Sequence, residues 1–358
     1  MIRYFFRQIL YSLSVLWGIA SLVFILFNLL PGDPSRLIMG QRSDLETAKN
    51  IRKELGLDVS LSRQYLHFIN DLSPVGVLST DSNSHVFADL SKYGSPQYIV
   101  GLGNSKFICL KKIYLRRSYQ SKKDVLEILA ETFPGTAVLA ISATLIALFL
   151  GIILGTICAL RQDSVLDRTL LMLSVSGISL PSFVAALFIL WLFAFLLGDI
   201  TGLPLYGSLF EIDEFEGEKL VLKNLVLPAI TLGIRPLSIV VQLTRNSLID
   251  VLGMDYVRTA KAKGLSPSVV LIKHVLINAL NPVITAISGW LASLMAGAVF
   301  VEMVFGWKGI GFVMLNALNT YDLPLVMGVV LMVSVVFVCI NIAVDLTYAI
   351  LDPRIRLA

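Results

Sequence analysis

Long apolar stretches alternate along this chain with polar segments of very different length. A helix that crosses a bilayer needs about 20 consecutive apolar residues. Stretches of about that length or more, uncharged except for one arginine, lie at residues 8–32, 132–160, 169–198, 224–244, 275–301 and 323–344. The exception is Arg235, inside the fourth stretch. The pattern predicts an all-α membrane protein with six transmembrane helices. An even number of spans places both termini on the same side of the membrane.

The polar segments carry weaker signals. Residues 44–55 and 60–70 show helical periodicity, with Gly56 as a natural stop for the first of them. Residues 124–130 continue a helical pattern into the second apolar stretch. Residues 73–103 are rich in serine, glycine, asparagine and aspartate without a period, which predicts a loop.

These patterns divide the chain into four parts. An amino-terminal tail and the first transmembrane helix occupy residues 1–32, and an extracytoplasmic segment with an insertion near residues 73–110 occupies residues 33–131. A five-helix bundle covers residues 132–350, and a cytoplasmic tail covers residues 351–358.

Composition agrees with a membrane location. Hydrophobic residues make up 56% of the chain and charged residues 15%, whereas soluble domains carry roughly 25% charged residues. The composition therefore excludes a disordered chain, a coiled coil and a nucleic-acid binder that works through a basic patch. The three cysteines have no metal or redox spacing, so we expect neither a metal nor a cofactor on this chain.

Basic residues in the short loops predict the orientation, because cytoplasmic loops are enriched in lysine and arginine. With the amino terminus inside, the inner segments hold Arg3, Arg7, Arg161, Arg168, Arg245, Arg258, Lys261, Lys263, Lys273, Arg354 and Arg356. The short outer loops hold only Lys219, Lys223 and Lys308. The segment 33–131 is basic as well, but long loops cross the membrane largely regardless of charge. We therefore expect both termini in the cytoplasm.

The inner loop between the fourth and fifth spans has a clear local pattern. Residues 248–263 read as a helix, and Gly264 stands where a C′ glycine ends one. Ser266 and Pro267 take the N-cap and first positions of a second helix. Small or apolar side chains on one side of the short helix would be available to a partner, and they belong to Tyr256, Val257, Ala260 and Gly264. An amphipathic connector that rests on lipid headgroups explains the same spacing equally well.

Residues 255–266 read Asp-Tyr-Val-Arg-Thr-Ala-Lys-Ala-Lys-Gly-Leu-Ser, which closely resembles the coupling-loop motif of bacterial ABC importer permeases of the dipeptide, oligopeptide and nickel branch. Other stretches that resemble this branch are Leu-Pro-Gly-Asp-Pro at 30–34, Leu-Pro-Ala at 227–229, Val-Glu-Met-Val-Phe-Gly-Trp at 301–307 and Leu-Asp-Pro-Arg-Ile-Arg at 351–356. The resemblance covers nearly the whole chain except roughly residues 73–110. The first and last stretches look more like the first permease of a pair than like its partner.

The resemblance implies a type I ABC importer permease fold in a bacterial inner membrane, and a transporter subunit for peptides or related small solutes rather than an enzyme. It also implies a second homologous permease, two ATPases that carry ATP and Mg²⁺, and an extracytoplasmic solute-binding protein. The sequence has no GxxxxGK(S/T) phosphate-binding motif, so ATP hydrolysis is expected on the partner subunits. Contact with an ATPase would fall on Asp255, Tyr256, Val257, Arg258, Thr259, Ala260, Lys261, Ala262, Lys263 and Gly264. The general family motif has Glu-Ala-Ala where residues 258–260 read Arg-Thr-Ala.

Charges at membrane depth are costly and therefore mark candidate path residues. Arg235 and Glu302 are the candidates here, and a peptide's carboxylate would suit the arginine. A structural pairing of Arg235 with a neighbour is the alternative. A stand-alone transporter driven by an ion gradient is the second hypothesis, but it would need several acidic residues within the spans. An intramembrane enzyme would need a serine–histidine, paired aspartate or zinc set at membrane depth, and we predict no catalytic residue.

Overall fold

The computed structural model of the chain describes residues 2–29, 59–81, 84, 86–103, 105–213 and 217–351. The helix predicted at 44–55 and the tail beyond residue 351 lie outside the described residues. The chain divides into two compact units. The first comprises Met1–Glu131 and Met314–Val335, and the second comprises Thr132–Val313 and Val336–Ala358.

The first unit begins with a long apolar helix and continues into a small α/β segment. Its elements up to residue 110 are α1 (Ile2–Leu29), α2 (Leu61–Leu72), β1 (Val75–Ser79), α3 (Leu90–Tyr93), β2 (Gln97–Gly101) and β3 (Lys106–Leu110). The strands form an antiparallel sheet in the order β1-β3-β2. The helix predicted at 60–70 is confirmed as α2.

The loop predicted for residues 73–103 is wrong, and the chain is therefore not strictly all-α. The strands are each only five residues long, and the serine, glycine, asparagine and aspartate residues between them dominate any sequence window. Leu78, Tyr93 and Cys109 nevertheless pack together in a buried cluster beneath the sheet. Burial of these apolar side chains stabilises the segment.

Aromatic residues join α2 to α1. The ring centroid of Phe24 lies 5.3 Å from that of Tyr65 and 5.4 Å from that of Phe68. The hydroxyl oxygens of Ser21 and Tyr65 lie 2.7 Å apart in a hydrogen bond. The small segment is therefore held against the apolar helix within the first unit.

The remaining elements are mostly apolar helices, several of them bent or interrupted. In chain order they are α4 (Val125–Leu160), α5 (Val165–Ser179), α6 (Ser182–Ile189), π1 (Leu190–Leu196), α7 (Gly198–Thr201), β4 (Phe210–Asp213), β5 (Gly217–Leu220), α8 (Lys223–Leu252), α9 (Asp255–Ala262), α10 (Pro267–Val269), π2 (Val270–Leu276), α11 (Ile277–Ala279), α12 (Asn281–Met295), α13 (Val299–Phe305), α14 (Ile310–Asn319) and α15 (Leu323–Leu351). The strands β4 and β5 pair antiparallel in the predicted loop between the third and fourth spans. The helix predicted at 124–130 is confirmed as the start of α4.

Among the described residues, four helices are long and apolar enough to cross a membrane, and the number rises to seven if each bent pair of helices is one span. The four are in α1, α4, α8 and α15. The bent pairs are α5 with α6–π1 at 110°, α10–α11 with α12 at 52°, and α13 with α14 at 91°.

Two of the bends occur at prolines. The third apolar stretch, predicted as one helix, breaks at Leu180 and Pro181, because proline has no N–H to continue the hydrogen-bond ladder and clashes with the preceding turn. Pro282 lies in the first turn of α12, next to the 52° bend between α11 and α12.

The helices α4 and α8 pack closely in the second unit. A methyl group at Gly155 would lie 2.7 Å from the carbonyl oxygen of Val241, and Gly151 meets the side chain of Val240 in the same way. Small residues four positions apart let two membrane helices approach closely.

Candidate coupling loop and translocation path

The loop after α8 carries a separate short helix. A single helix was expected over residues 248–263, and this expectation is wrong, because α8 ends at Leu252 and α9 begins at Asp255. Gly253 lies at the break, where the N–H of Met254 bonds to the carbonyl of Val251 and ends the ladder of α8. Glycine has a low helix propensity, which favours a break at this position.

The end of α9 follows the predicted glycine cap. Gly264 has a φ of +75°, in the left-handed region that favours glycine. Its N–H donates to the Lys261 carbonyl at 3.0 Å, and the N–H of Leu265 donates to the Ala260 carbonyl at 3.4 Å. These two bonds form a Schellman motif. Pro267 is at the start of α10 as predicted, although the Ser266 side chain makes no capping hydrogen bond.

The apolar face of α9 is turned toward the protein itself. Val257 and Ala260 are 0% and 6% exposed, and they pack in one cluster with Leu248, Val270 and Val275. The expectation that Val257 and Ala260 are available to a partner is therefore wrong. Helical spacing groups these residues on one side, but it does not tell whether that side faces the core or a partner.

The other predicted coupling residues form the exposed face of α9 and its end. They are Asp255, Tyr256, Arg258, Thr259, Lys261, Ala262, Lys263 and Gly264. The ion pair between Arg258 and Asp255 is 3.7 Å long, and both side chains are largely in solvent, so it contributes little stability. The Tyr256 hydroxyl accepts a hydrogen bond of 3.2 Å from the amide of Asn278. We refer to this set as the exposed face of α9.

Arg235 contacts the break in the third apolar stretch. Its Nη2 donates to the carbonyl of Leu180 at 3.1 Å, and Leu180 is the C-cap residue of α5. Its Nε is buried and has no hydrogen-bond partner among the described residues. The structural pairing considered for Arg235 is therefore present, and it uses one of the five N–H donors of a guanidinium group.

Glu302 is fully buried and does not line an open path in this conformation. Its Oε1 accepts from the Thr136 hydroxyl at 3.0 Å, and its Oε2 accepts from the N–H of Phe312 at 2.8 Å. The same Thr136 oxygen accepts from the N–H of Ile310 at 2.8 Å. Glu302 and Thr136 thus satisfy N–H groups in the first turn of α14 that have no partner within that helix.

Sequence reasoning missed the partners of both Glu302 and Arg245. Arg245 pairs with Asp167, whose side chain is 1% exposed. A local signal was available for the aspartate, because Ser164 caps α5 and accepts from the N–H of Asp167 three residues later. No sequence signal links Thr136 to Glu302, since 166 positions separate them.

Comparisons with known proteins agree with these features. The family model described as "Binding-protein-dependent transport system inner membrane component" matches residues 151–357. A second model, for the amino-terminal part of such membrane components, matches residues 1–83.

Curated relatives match over their full length. The dipeptide transport system permease protein DppB of Haemophilus influenzae is 34% identical, with 99% of this chain and 100% of that protein covered. The glutathione transport system permease protein GsiC of Salmonella choleraesuis is 32% identical, with 99% of both covered. An inward-facing structure of the MetNI methionine ABC transporter has a TM-score of 0.50 at 16% identity, with 64% of this chain and 98% of that chain covered. This last likeness is one of fold alone.

The apolar helices, the separate loop helix and the full-length relatives define a permease of the ABC importer class. The chain belongs to the family of binding-protein-dependent transport system inner membrane components. The family predicted from the motifs is thereby confirmed.

Proposed function

We propose that this chain is the first of two permease subunits of an ATP-driven importer for dipeptides, tripeptides or related small solutes such as glutathione. Relatives that match it end to end are permeases of dipeptide, di/tripeptide and glutathione transport systems, which supports this class of solute. The permease would form half of the translocation path. A second homologous permease would form the other half, and an extracytoplasmic binding protein would deliver the solute.

In the proposed arrangement the chain crosses a bacterial inner membrane six times, with both termini in the cytoplasm. The spans are α1, α4, α5 to π1, α8, α10 to α12, and α15. The bent pair of α13 and α14 is not a span in this arrangement. The helix α13 has only seven residues, which extend about 10 Å at 1.5 Å per residue. Residues 33–131 lie outside the cytoplasm and the loop with α9 lies inside.

The observation that carries the proposal is α9, a separate helix held in a tight loop with one face packed and one face exposed. An ATPase bound to the exposed face would move α9 as a rigid body when two ATPases close on ATP and Mg²⁺. Because Val257 and Ala260 pack against Leu248 of α8 and Val275 of π2, the movement would be passed directly to two membrane segments.

Of the two path candidates, we keep Arg235 and assign Glu302 to a structural role. Most donors of Arg235 have no partner among the described residues, whereas the carboxylate of Glu302 is occupied by Thr136 and Phe312. Glu302 would hold the turn between α13 and α14 in place.

Affinity purification from mild-detergent membranes, followed by mass spectrometry, tests the proposal. We expect a second permease and an ATPase with a phosphate-binding motif to co-purify with the tagged wild-type chain. Ala262→Glu, on the exposed face of α9, should lose the ATPase and keep the second permease. Lys112→Glu is the matched control, because it places a new acidic side chain at an exposed position of the outer segment and should lose neither.

A chain that purifies alone, or only with itself, would overturn the importer proposal. Transport by the isolated protein under an ion gradient would then be the function to measure.

A further inference from the structure

One face of α8 from Arg235 to Asp250 is open in the sense that it holds no buried residue, and four of its five side chains are polar. Buried residues lie on the opposite side of the helix, among them Val240, Val241, Thr244 and Leu248. Along the open face the residues repeat at helical spacing and none of them is buried; they are Arg235, Ile239, Gln242, Asn246 and Asp250.

The neighbouring helix α12 has a similar open face. Val283 and Ile287 are buried and share a cluster with Val240 of α8. The exposed positions of α12 carry polar or small side chains, and these include Asn281, Thr285, Gly289 and Ser293.

A third helix of the same unit provides an internal comparison. From Ile141 to Leu160 the open face of α4 is apolar, with Ile141, Leu145, Phe149 and Ile153 between 41% and 68% exposed. That composition suits lipid tails. Charged and amide side chains are costly against lipid and face a water-filled cavity or a protein partner instead. The open faces of α8 and α12 are therefore not lipid faces.

We propose that these two faces form a wall of the water-filled translocation path, and that Arg235 recognises a carboxylate of the solute at this wall. This inference rests on the proposed function. The guanidinium gives one hydrogen bond to Leu180 and has no other partner among the described residues, and it can bind a carboxylate through two parallel bonds. The amide group of Gln242 can donate and accept, and that of Asn246 can donate, since its oxygen already accepts from Arg245 at 3.3 Å. Both groups suit the peptide bonds of a solute that moves along the helix.

Cysteine labelling of the complete importer tests the wall. The complex of both permeases, the ATPases and the binding protein is reconstituted in proteoliposomes. Cys339 is exposed and is replaced by serine, whereas Cys109 and Cys158 are buried and stay. Single cysteines are then placed at Gln242, Asn246 and Thr285, and as controls at Leu145 and Phe149. The probes are two water-soluble methanethiosulfonates of equal reach, one anionic and one cationic.

We expect the cysteines on α8 and α12 to react at least tenfold faster than those on α4. At Gln242→Cys the anionic probe should be favoured over the cationic one. Arg235→Gln should lower that preference roughly tenfold. The substitution removes both the attraction of the guanidinium for the anionic probe and its repulsion of the cationic probe, and at an intermediate dielectric constant the two effects together are of this size. Unreactive cysteines would mean that the faces pack against the second permease and would overturn the wall. An unchanged preference would overturn the role of Arg235.

Uptake of a dipeptide by the same vesicles separates this inference from the proposed function. Normal uptake with unreactive cysteines would overturn the wall alone. Reactive cysteines in vesicles that take up no peptide would overturn the proposed solute class and leave the wall in place.

Discussion

Arg245 of α8 and Asp167 of α5 form an ion pair with two parallel hydrogen bonds. Nε donates to Oδ1 at 2.8 Å and Nη2 donates to Oδ2 at 2.7 Å. Asp167 also accepts from the N–H of Asp163 at 3.0 Å, so one buried carboxylate fixes the end of α8 and the start of α5 together. The pair lies in the second unit, outside the predicted coupling residues.

Arg245→Ala should destabilise the permease strongly, because it leaves the charge of Asp167 buried without its partner. Breaking a buried pair in this way costs about 3–5 kcal/mol. Arg117→Ala is the matched control, since Arg117 also pairs with an aspartate, Asp124, but its side chain is 52% exposed. We expect the control to cost less than about 1 kcal/mol. Thermal unfolding of the purified chain in detergent measures both, and equal midpoints for the two variants would contradict the prediction.

Glu302→Ala should also lower the thermal midpoint, through a different cause. The variant leaves the Thr136 hydroxyl and the Phe312 N–H buried without an acceptor, at about 1–3 kcal/mol for each group. Glu302→Gln keeps one acceptor oxygen and should fall between the alanine variant and the wild type. Glu131→Gln, at an exposed carboxylate, serves as the control. If glutamine and alanine were equally harmful, charge rather than hydrogen bonding would be the property that matters at this position.

A partly buried carboxyl group in the first unit should make the small sheet sensitive to pH. The Asp71 carboxylate accepts from the Tyr93 hydroxyl at 2.7 Å, and burial raises the pKa of Asp71 above its ordinary value. An acid with a raised pKa in the folded protein stabilises the fold at low pH, and this contribution is lost as pH rises through the folded pKa. Protection of the β1 and β3 amides from hydrogen exchange, corrected for intrinsic rates, should therefore fall relative to Asp71→Asn as pH rises from about 4.

Tyr93→Phe sharpens this test. The hydroxyl of Tyr93 lowers the pKa of Asp71 and so opposes the effect of burial. Its removal should raise the pKa further and increase the loss of protection with rising pH. A difference between wild type and Asp71→Asn that does not vary with pH would show that Asp71 titrates normally.

How far the sequence could predict the structure depended on the range of each interaction. The end of α9 and the start of α10 depend on a few adjacent residues, and the sequence correctly predicted Gly264 as the cap of the first helix and Pro267 as the first residue of the second. The break at Pro181 depends on a single residue, but membrane helices often tolerate proline. The absence of charges on both sides of Pro181 therefore favoured one continuous span, and the break was not predicted. The sheet of residues 75–110 depends on pairing between short strands with polar residues between them, which sequence periodicity does not detect.

The segment that forms the candidate coupling site was predicted from the sequence, but the exposed face of its helix was not. Helical spacing placed Val257 and Ala260 on one side of α9, and only the packing against Val270 and Val275 revealed that this side is internal. Arg235 was identified because a charge within an apolar stretch is conspicuous. Gln242 and Asn246 are uncharged and follow it at spacings that became informative only when the buried side of α8 was known.

Gly264 gives a prediction that separates backbone conformation from side-chain contact. A side chain at this position would meet nothing within 4 Å, but the backbone has a φ of +75°. Gly264→Asn should keep the ATPase bound, because asparagine adopts the left-handed region several-fold more readily than most residues. Gly264→Val should release most of it, since this conformation costs roughly 1–2 kcal/mol for an ordinary residue, and relief of that strain would redirect α9. Gly18→Val is the control, for it adds the same side chain in open space without a positive φ. The amount of ATPase that co-purifies with each variant measures the effect, and equal loss for asparagine and valine would show that the left-handed turn does not orient the coupling helix.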